Sequence, residues 1–283
     1  MSYEQFYNLQ EQPFSNTPDP RFYYDTAQHS ETMFRLMYAI DTMKGLAVVI
    51  GDVGTGKTTL ARKMLDQLDD SHYESALLVI IHSAITPGWL LRKIAMQLGV
   101  EEVPEEKVEL LSQLYQRLTQ IYEEGKKAVV LVDEANMLQG KDIMEEFRGL
   151  LNLEVPGSKL ITFIFFGLPE LEGQLALDPP LAQRVALKCR LTSLKLDTTK
   201  AYIRHRLKVA GAIRELFTEK ALELIHHCSQ GIPRLINTIC DNALLEGYLL
   251  RRELIEAPLV RDVAMDLGLL QASTSPASPA RIQ

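Results

Sequence analysis

The chain has 283 residues, long enough for one medium domain and a small second one, and its 46% apolar and 24% charged residues are ordinary for a globular protein. A formal net charge of −7 argues against a globally basic nucleic-acid or membrane-surface binder, although residues 195–283 carry 12 Lys/Arg against 10 Asp/Glu, leaving 18 against 27 for the remainder. Cys189, Cys228 and Cys240 fit neither a disulfide framework nor a zinc spacing and are expected to be reduced and buried. No apolar stretch approaches the roughly 18–20 residues that span a bilayer, and the N-terminus MSYEQFYNLQ lacks a signal-peptide layout, so cytoplasmic residence is the expectation.

In chain order, residues 1–27 are read as an irregular segment broken by Pro13, Pro18 and Pro20, whose aromatics should pack it onto the core. A helical pattern follows over 28–44, then a short apolar strand at Leu46–Ile50, a glycine-rich turn and a helix to about Leu68. The pattern continues with a strand at Ala76–His82, helices at Pro87–Leu98 and Glu105–Glu123, and a strand at Ala128–Val132. A helix over Lys141–Leu153, a strand at Leu160–Phe166, short helical pieces over 168–185 and a last strand at Leu187–Leu191 complete it. Continuous apolar strands separated by helices predict a parallel sheet covered on both faces, an α/β architecture over residues 28–195. From about Asp197 only amphipathic helices remain, near 198–210, 218–229, 233–250 and 257–269, which predicts a helical lid domain over 196–270; the Ser/Pro/Ala-rich residues 271–283 read as a disordered tail.

Gly51-Asp52-Val53-Gly54-Thr55-Gly56-Lys57-Thr58 satisfies G-x-x-x-x-G-K-[ST], with Thr59 the next residue of the loop–helix junction. Glycines let the backbone wrap a phosphate with its N–H groups aimed inward, and the helix that starts here adds the positive end of its dipole. Lys57 would reach the β- and γ-phosphates of ATP and the Thr58 hydroxyl would ligate Mg²⁺. The strand 128–132 ends in Asp133-Glu134, about 75 residues beyond the loop. A carboxylate at a strand's C-terminal end lies beside the phosphate loop, where Asp133 can hold the Mg²⁺ hydration shell and Glu134 can orient and deprotonate a water. An Asp-Glu pair alone would read as a solvated loop; after this strand, with this first motif, it reads as a hydrolytic site. A small-molecule kinase of the same loop type needs no water-activating carboxylate, so Glu134 favours hydrolysis over phosphoryl transfer to an acceptor.

With both motifs in place the chain resembles the AAA+ ATPases, and more narrowly the general secretion pathway protein A (ExeA-like) family, which is related to ATPases that regulate DNA transposition. The resemblance covers most of residues 3–269. It is carried by Tyr7-Asn8-Leu9, Pro13-Phe14, Pro18 to Tyr23, His29, the two motifs with Ala135, Gly167-Leu168-Pro169-Glu170-Leu171, Leu181-Ala182-Gln183-Arg184-Val185 and Gly231 to Asn237. It implies a five-stranded P-loop αβα core of strand order 5-1-4-3-2, a C-terminal lid, and homo-oligomers with ATP at subunit boundaries. Arg234, in Gly-x-Pro-Arg, resembles the sensor 2 arginine that reaches the γ-phosphate from the lid. Arg184 resembles the arginine finger offered to a neighbour's ATP, with Arg190 the competing residue. The adenine pocket would draw on Ile232 and Pro233 and on the N-terminal segment, through Phe14 or His29.

Two departures qualify the resemblance. Leu168 stands where a polar sensor 1 residue follows the fourth strand, and Thr162 lies mid-strand, so hydrolysis is expected to be slow or partner-dependent. Secretion members of the family add a membrane span and a peptidoglycan-binding domain that these 283 residues do not hold, so a secretion role is not expected to carry over intact. The leading expectation is an ATP hydrolase whose assembly drives or regulates a larger machine, such as envelope secretion or export, at the inner membrane through protein partners. The alternatives are an ATP-switched DNA-binding regulator, supported by Arg204, Arg206, Lys208, Arg251 and Arg252 of the lid, and a nucleotide-binding scaffold with little hydrolysis.

Overall fold

The computed structural model describes residues 2–17 and 19–270, so the tail assigned to 271–283 lies outside the described residues. The chain divides into two compact units, one of residues 25–192 and one that joins the N-terminal 24 residues to the chain from 193 onward.

The first unit is built on five parallel strands, β1 (Leu46–Gly51), β2 (Tyr73–Val79), β3 (Lys127–Asp133), β4 (Ile161–Gly167) and β5 (Val185–Leu191), in the order β2-β3-β4-β1-β5. Read from the other edge, this is the expected 5-1-4-3-2. The central strands β1, β3 and β4 are buried along almost their whole length, while edge strands β2 and β5 keep exposed or half-buried residues. That difference explains why the central strands read as continuous apolar runs.

Alternate residues of each central strand feed two separate cores. Val48, Val130, Val132, Phe163 and Phe165 pack against helices Pro87–Gln97, Lys107–Glu123 and Lys141–Leu150. Ala47, Val49, Leu131, Ile164 and Phe166 pack against helices Ala27–Asp41 and Lys57–Gln67. The period of two along a strand thus produces the three-layer αβα arrangement. Helix entries carry their own signals: Thr26 accepts the His29 N–H at 3.2 Å, and Thr86, ahead of Pro87, accepts that of Trp89 at 3.2 Å.

Two elements differ from expectation. Strand β2 starts and ends three residues earlier than the apolar run at 76–82 suggests, because its ladder with β3 pairs Tyr73 with Lys127 and Val79 with Asp133. Ile81 is left outside the ladder and is 81% exposed. A small antiparallel hairpin, Glu154–Val155 with Ser158–Lys159, interrupts the stretch before β4.

The second unit holds helices Leu196–Val209, Glu219–Ser229, Pro233–Leu249 and Ala257–Asp266. The N-terminal segment belongs here, not to the α/β core on which it was expected to pack, and it is less irregular than its prolines imply, with a helix at Tyr3–Tyr7 and a 3₁₀ turn at Pro20–Phe22. Its aromatics account for the correction. Tyr7 and Phe14 are buried among the helices of this unit, Phe14 stands edge-on to Phe217 with centroids 6.3 Å apart, and the Tyr7 hydroxyl donates to the Arg252 carbonyl at 2.9 Å. Phe14 is therefore a core residue of the helical unit and not a ring available to an adenine.

Arg206 completes this attachment. It is only 6% exposed; its Nε donates to the Pro13 carbonyl at 2.6 Å, Nη2 to the Ser15 carbonyl at 3.0 Å, and Nη1 to the Tyr202 hydroxyl at 2.9 Å. The guanidinium lies over the Phe22 ring, 4.9 Å from its centroid. Arg206 is thus no part of a basic surface, and Arg204 is engaged by Glu215 and Glu219. All three cysteines are buried and unbridged, as expected.

Candidate nucleotide site

Strand β1 ends at Gly51, and the next five residues turn the chain into the helix Lys57–Gln67. Gly56 caps that helix at φ 99°, a left-handed conformation natural to glycine, and a Cβ there would lie 3.2 Å from Nε2 of His29. The loop is closed from inside: Lys57, 6% exposed, donates through Nζ to the carbonyls of Gly51 at 2.7 Å and Asp52 at 2.9 Å. The Thr55 hydroxyl also donates to the Asp52 carbonyl, at 2.8 Å. Thr58 and Thr59 sit half-buried in the first helical turn, while Asp52 and Val53 at the loop tip are exposed. An ammonium held at a helix N-terminus inside a glycine loop presents the charge and the N–H groups that a polyphosphate requires.

His29 backs this loop. Its Nδ1 lies 2.7 Å from the Thr26 hydroxyl and the residue is only 7% exposed, so burial pulls its pKa below the ordinary value, against the pull of the Asp25 charge. The imidazole supports the phosphate loop from behind, a position that the adenine-pocket reading did not anticipate.

Asp133 is the last residue of β3 and is 1% exposed. Its Oδ1 accepts the Glu134 N–H at 3.0 Å, which orients the carboxylate, and its backbone carbonyl accepts the Ile80 N–H at 3.1 Å, which anchors the strand end. Glu134 adopts φ 55° and ψ 37°, uncommon for a residue with a Cβ, and so lifts the chain out of the sheet into the 3₁₀ turn Ala135–Met137. That turn keeps the Glu134 side chain half-exposed beside the buried Asp133. One strand, β4, separates the two motif-bearing strands, and Gly167 pairs with Ile50 immediately before the loop.

The residues can hold Mg²⁺ in the manner the sequence implies. Asp133 has acceptor capacity beyond the bond from the Glu134 N–H, Thr58 adds a hydroxyl, and such an ion takes its remaining ligands from water and phosphate. No group of three or more His, Cys, Asp or Glu side chains forms an all-protein metal site among the described residues.

Thr162 is fully buried at the opposite end of β4 and donates its hydroxyl to Met43 Sδ at 3.7 Å, so it is no substitute for the residue that Leu168 replaces. One residue near the site went unnoticed in the sequence: Asn136, whose Oδ1 accepts the Leu168 N–H at 3.0 Å. Its only signal was a polar side chain two positions after the carboxylate pair. Near the start of β5, Arg184 donates through Nη1 to the Arg148 carbonyl at 3.1 Å, and Arg190 pairs with Glu172 at 3.0 Å.

In the helical unit, Arg234 is exposed in the first turn of Pro233–Leu249, with Pro233 at the first helical position and Ile232 as the cap. Gly231 sets the geometry of that turn. It has φ 72°, its carbonyl accepts the Leu194 N–H at 2.8 Å, and a Cβ would drive into the Leu194 carbonyl.

Residues 40–175 match the model of the AAA domain. General secretion pathway protein A of Aeromonas hydrophila is 38% identical over 250 residues, 87% of this chain and 45% of that protein, so the chain spans about half the length of this relative. The ORC2 protein of Aeropyrum pernix, solved in ADPNP–ADP complexes, superposes with a TM-score of 0.68 at 17% identity, covering 91% of this chain and 72% of that one. The Drosophila ORC bound to DNA gives 0.69 at 18% identity, covering 94% and 66%. At these identities the structural likenesses speak for the fold alone.

Proposed function

We propose that this chain, which belongs to the AAA+ ATPase family and is a relative of general secretion pathway protein A, binds ATP with Mg²⁺ and hydrolyses it at a site that a second copy completes. One observation carries the reading: a buried lysine closing a glycine loop and a buried Asp133 with a kinked Glu134 end on strands separated only by β4. Lys57 and the loop N–H groups hold the β- and γ-phosphates in place. Thr58 and Asp133 hold the magnesium ion, which supplies charge neutralisation at the phosphates when bound. Glu134, half-exposed beside them, orients a water and takes its proton. Arg184 contributes from the neighbouring copy.

Turnover is therefore expected to rise steeply with protein concentration, to fall 10²-fold or more in Glu134→Gln with ATP binding kept, and to collapse in Arg184→Ala. Arginine fingers are worth about 10³–10⁵ in rate. Turnover independent of concentration refutes the shared site; turnover unchanged in Glu134→Gln refutes hydrolysis by this carboxylate and leaves a nucleotide-binding scaffold. The larger process served is proposed to be assembly or regulation of an envelope or export machine, on the strength of the relative's name.

A second reading, an ATP-switched DNA binder, draws on the DNA-bound ORC neighbour. The burial of Arg206 and the pairing of Arg204 weaken it. DNA retention that requires ATP and disappears with salt would establish it.

A further inference from the structure

The sheet order places the tip of β4 between the phosphate loop on β1 and Glu134 on β3. Neighbouring strands lie about 4.8 Å apart, so a group anchored there is about 5 Å sideways from each motif. The residue that follows β4 is Leu168, whose side chain offers no hydrogen bond to anything between them. The polar group fixed at this tip comes from the other motif.

Asn136 lies in the 3₁₀ turn that Glu134 initiates, two residues beyond it. Its Oδ1 accepts the Leu168 N–H at 3.0 Å, and its own backbone nitrogen would be 3.2 Å from a Cβ at Gly167, so the turn sits directly on the end of β4. A backbone N–H only donates, so the amide oxygen must face Leu168 and the two N–H donors of the carboxamide must face elsewhere. The side chain is thus oriented by chemistry, and it is half-buried.

We infer that Asn136 donates from Nδ2 to an oxygen of the terminal phosphoryl group, supplying from the Asp133 turn the contact that Leu168 cannot make. This rests on the ATP-binding reading above and assigns the chain a residue that distinguishes ATP from ADP. Because Leu168 N–H holds the same side chain, the phosphate contact would also tie the end of β4 to the turn carrying Glu134.

The test is the ratio of ATP to ADP affinity, measured by titration calorimetry in a Glu134→Gln background where no turnover intervenes. Asn136→Asp keeps the acceptor for Leu168 and replaces the donors; Asn136→Ala removes both without adding charge. Both are expected to lower the ATP-over-ADP preference, by 10-fold or more for the aspartate and by 3-fold or more for the alanine, with ADP affinity within 2-fold of the parent. An unchanged ratio in the alanine variant overturns the inference, even if the aspartate lowers it, since repulsion alone would then explain the latter. Matching thermal melts of the ADP-bound variants exclude misfolding, and Asn136→Ser serves if the alanine variant fails to fold. If the parent binds ATP but never turns it over, the hydrolysis reading falls while the affinity ratio still decides the role of Asn136. If the parent binds neither nucleotide, both fall.

Discussion

Arg206 is the residue whose removal should separate the N-terminal segment from the helical unit. The guanidinium makes two charge-assisted bonds to the carbonyls of Pro13 and Ser15 and one to the Tyr202 hydroxyl, and lies over the rings of Phe22 and Tyr202. Hydrogen bonds to charged groups contribute about 1.5–3 kcal/mol each, and the acceptors left behind carry a further desolvation penalty. Cation–π contact adds about 1 kcal/mol. Offsetting these is the desolvation of the cation itself, which the truncation relieves. The net loss expected for Arg206→Ala is about 3–5 kcal/mol. Arg206→Met keeps most of the stem packing and should lose nearly as much, because neither carbonyl regains a donor. Arg206→Lys should recover about half, since one ammonium cannot serve both carbonyls and stack on Phe22 in the fixed fork geometry. Urea unfolding gives the magnitudes, and limited trypsin digestion at Arg21 reports whether the segment is released. A loss below about 1 kcal/mol in Arg206→Ala, or a methionine variant as stable as the wild type, would refute the claim that the guanidinium bonds hold the segment.

Adjacent residues at the end of the helix Glu219–Ser229 should respond to opposite substitutions with opposite signs. Gly231→Ala introduces a Cβ at φ 72° against the Leu194 carbonyl and is expected to destabilise by about 2 kcal/mol or more, whereas Gln230→Gly, at φ 51°, relieves a left-handed strain of about 1 kcal/mol; chemical denaturation of both decides. The pH dependence follows from three histidines, His29, His205 and His226, each with its pKa drawn below 6.5, chiefly by burial. A base with a depressed folded pKa is neutral in both states above pH 6.5, and as pH falls below this the unfolded chain takes up protons first. Stability should therefore be full at pH 7.5 and decline toward the lower folded values, with part of the slope abolished in His29→Gln. A urea midpoint constant from pH 7.5 to 5 would refute it.

The backbone geometry of the candidate site was legible because its signals are local. A glycine at φ 99° before a lysine, and a carboxylate at the end of a fully buried strand, are dictated by a handful of consecutive residues, and the parallel sheet followed from the length and spacing of the apolar runs. Strand β2 slipped because an edge strand takes its register from its single partner, β3, and its own apolar run continues through the exposed Ile81. The N-terminal segment was assigned to the wrong core for a related reason: aromatic residues announce that they will be buried but not where. Arg206 is the sharper case. At one position of an amphipathic helix a charged residue reads as solvated, and only carbonyls some 190 residues away in sequence turn it into a buried clamp.

The same distinction bears on the missing polar residue after β4. Reading along one strand, Leu168 is a loss, because the contact is sought in the segment that normally supplies it. Reading across the sheet edge, the requirement is only that a donor stand between Lys57 and Glu134, and a turn packed on the end of β4 satisfies this as well as β4 itself. Asn136 meets that requirement while keeping the Leu168 N–H paired. A Leu168→Asn substitution alone should therefore not raise the ATP-over-ADP preference of the wild type, but should restore it in the Asn136→Ala protein, provided its carboxamide reaches the same phosphate. Rescue of this kind, read by the same calorimetric ratio, would tie the two positions to one function; a normal ratio in Asn136→Ala itself would leave Asn136 as a structural clamp only.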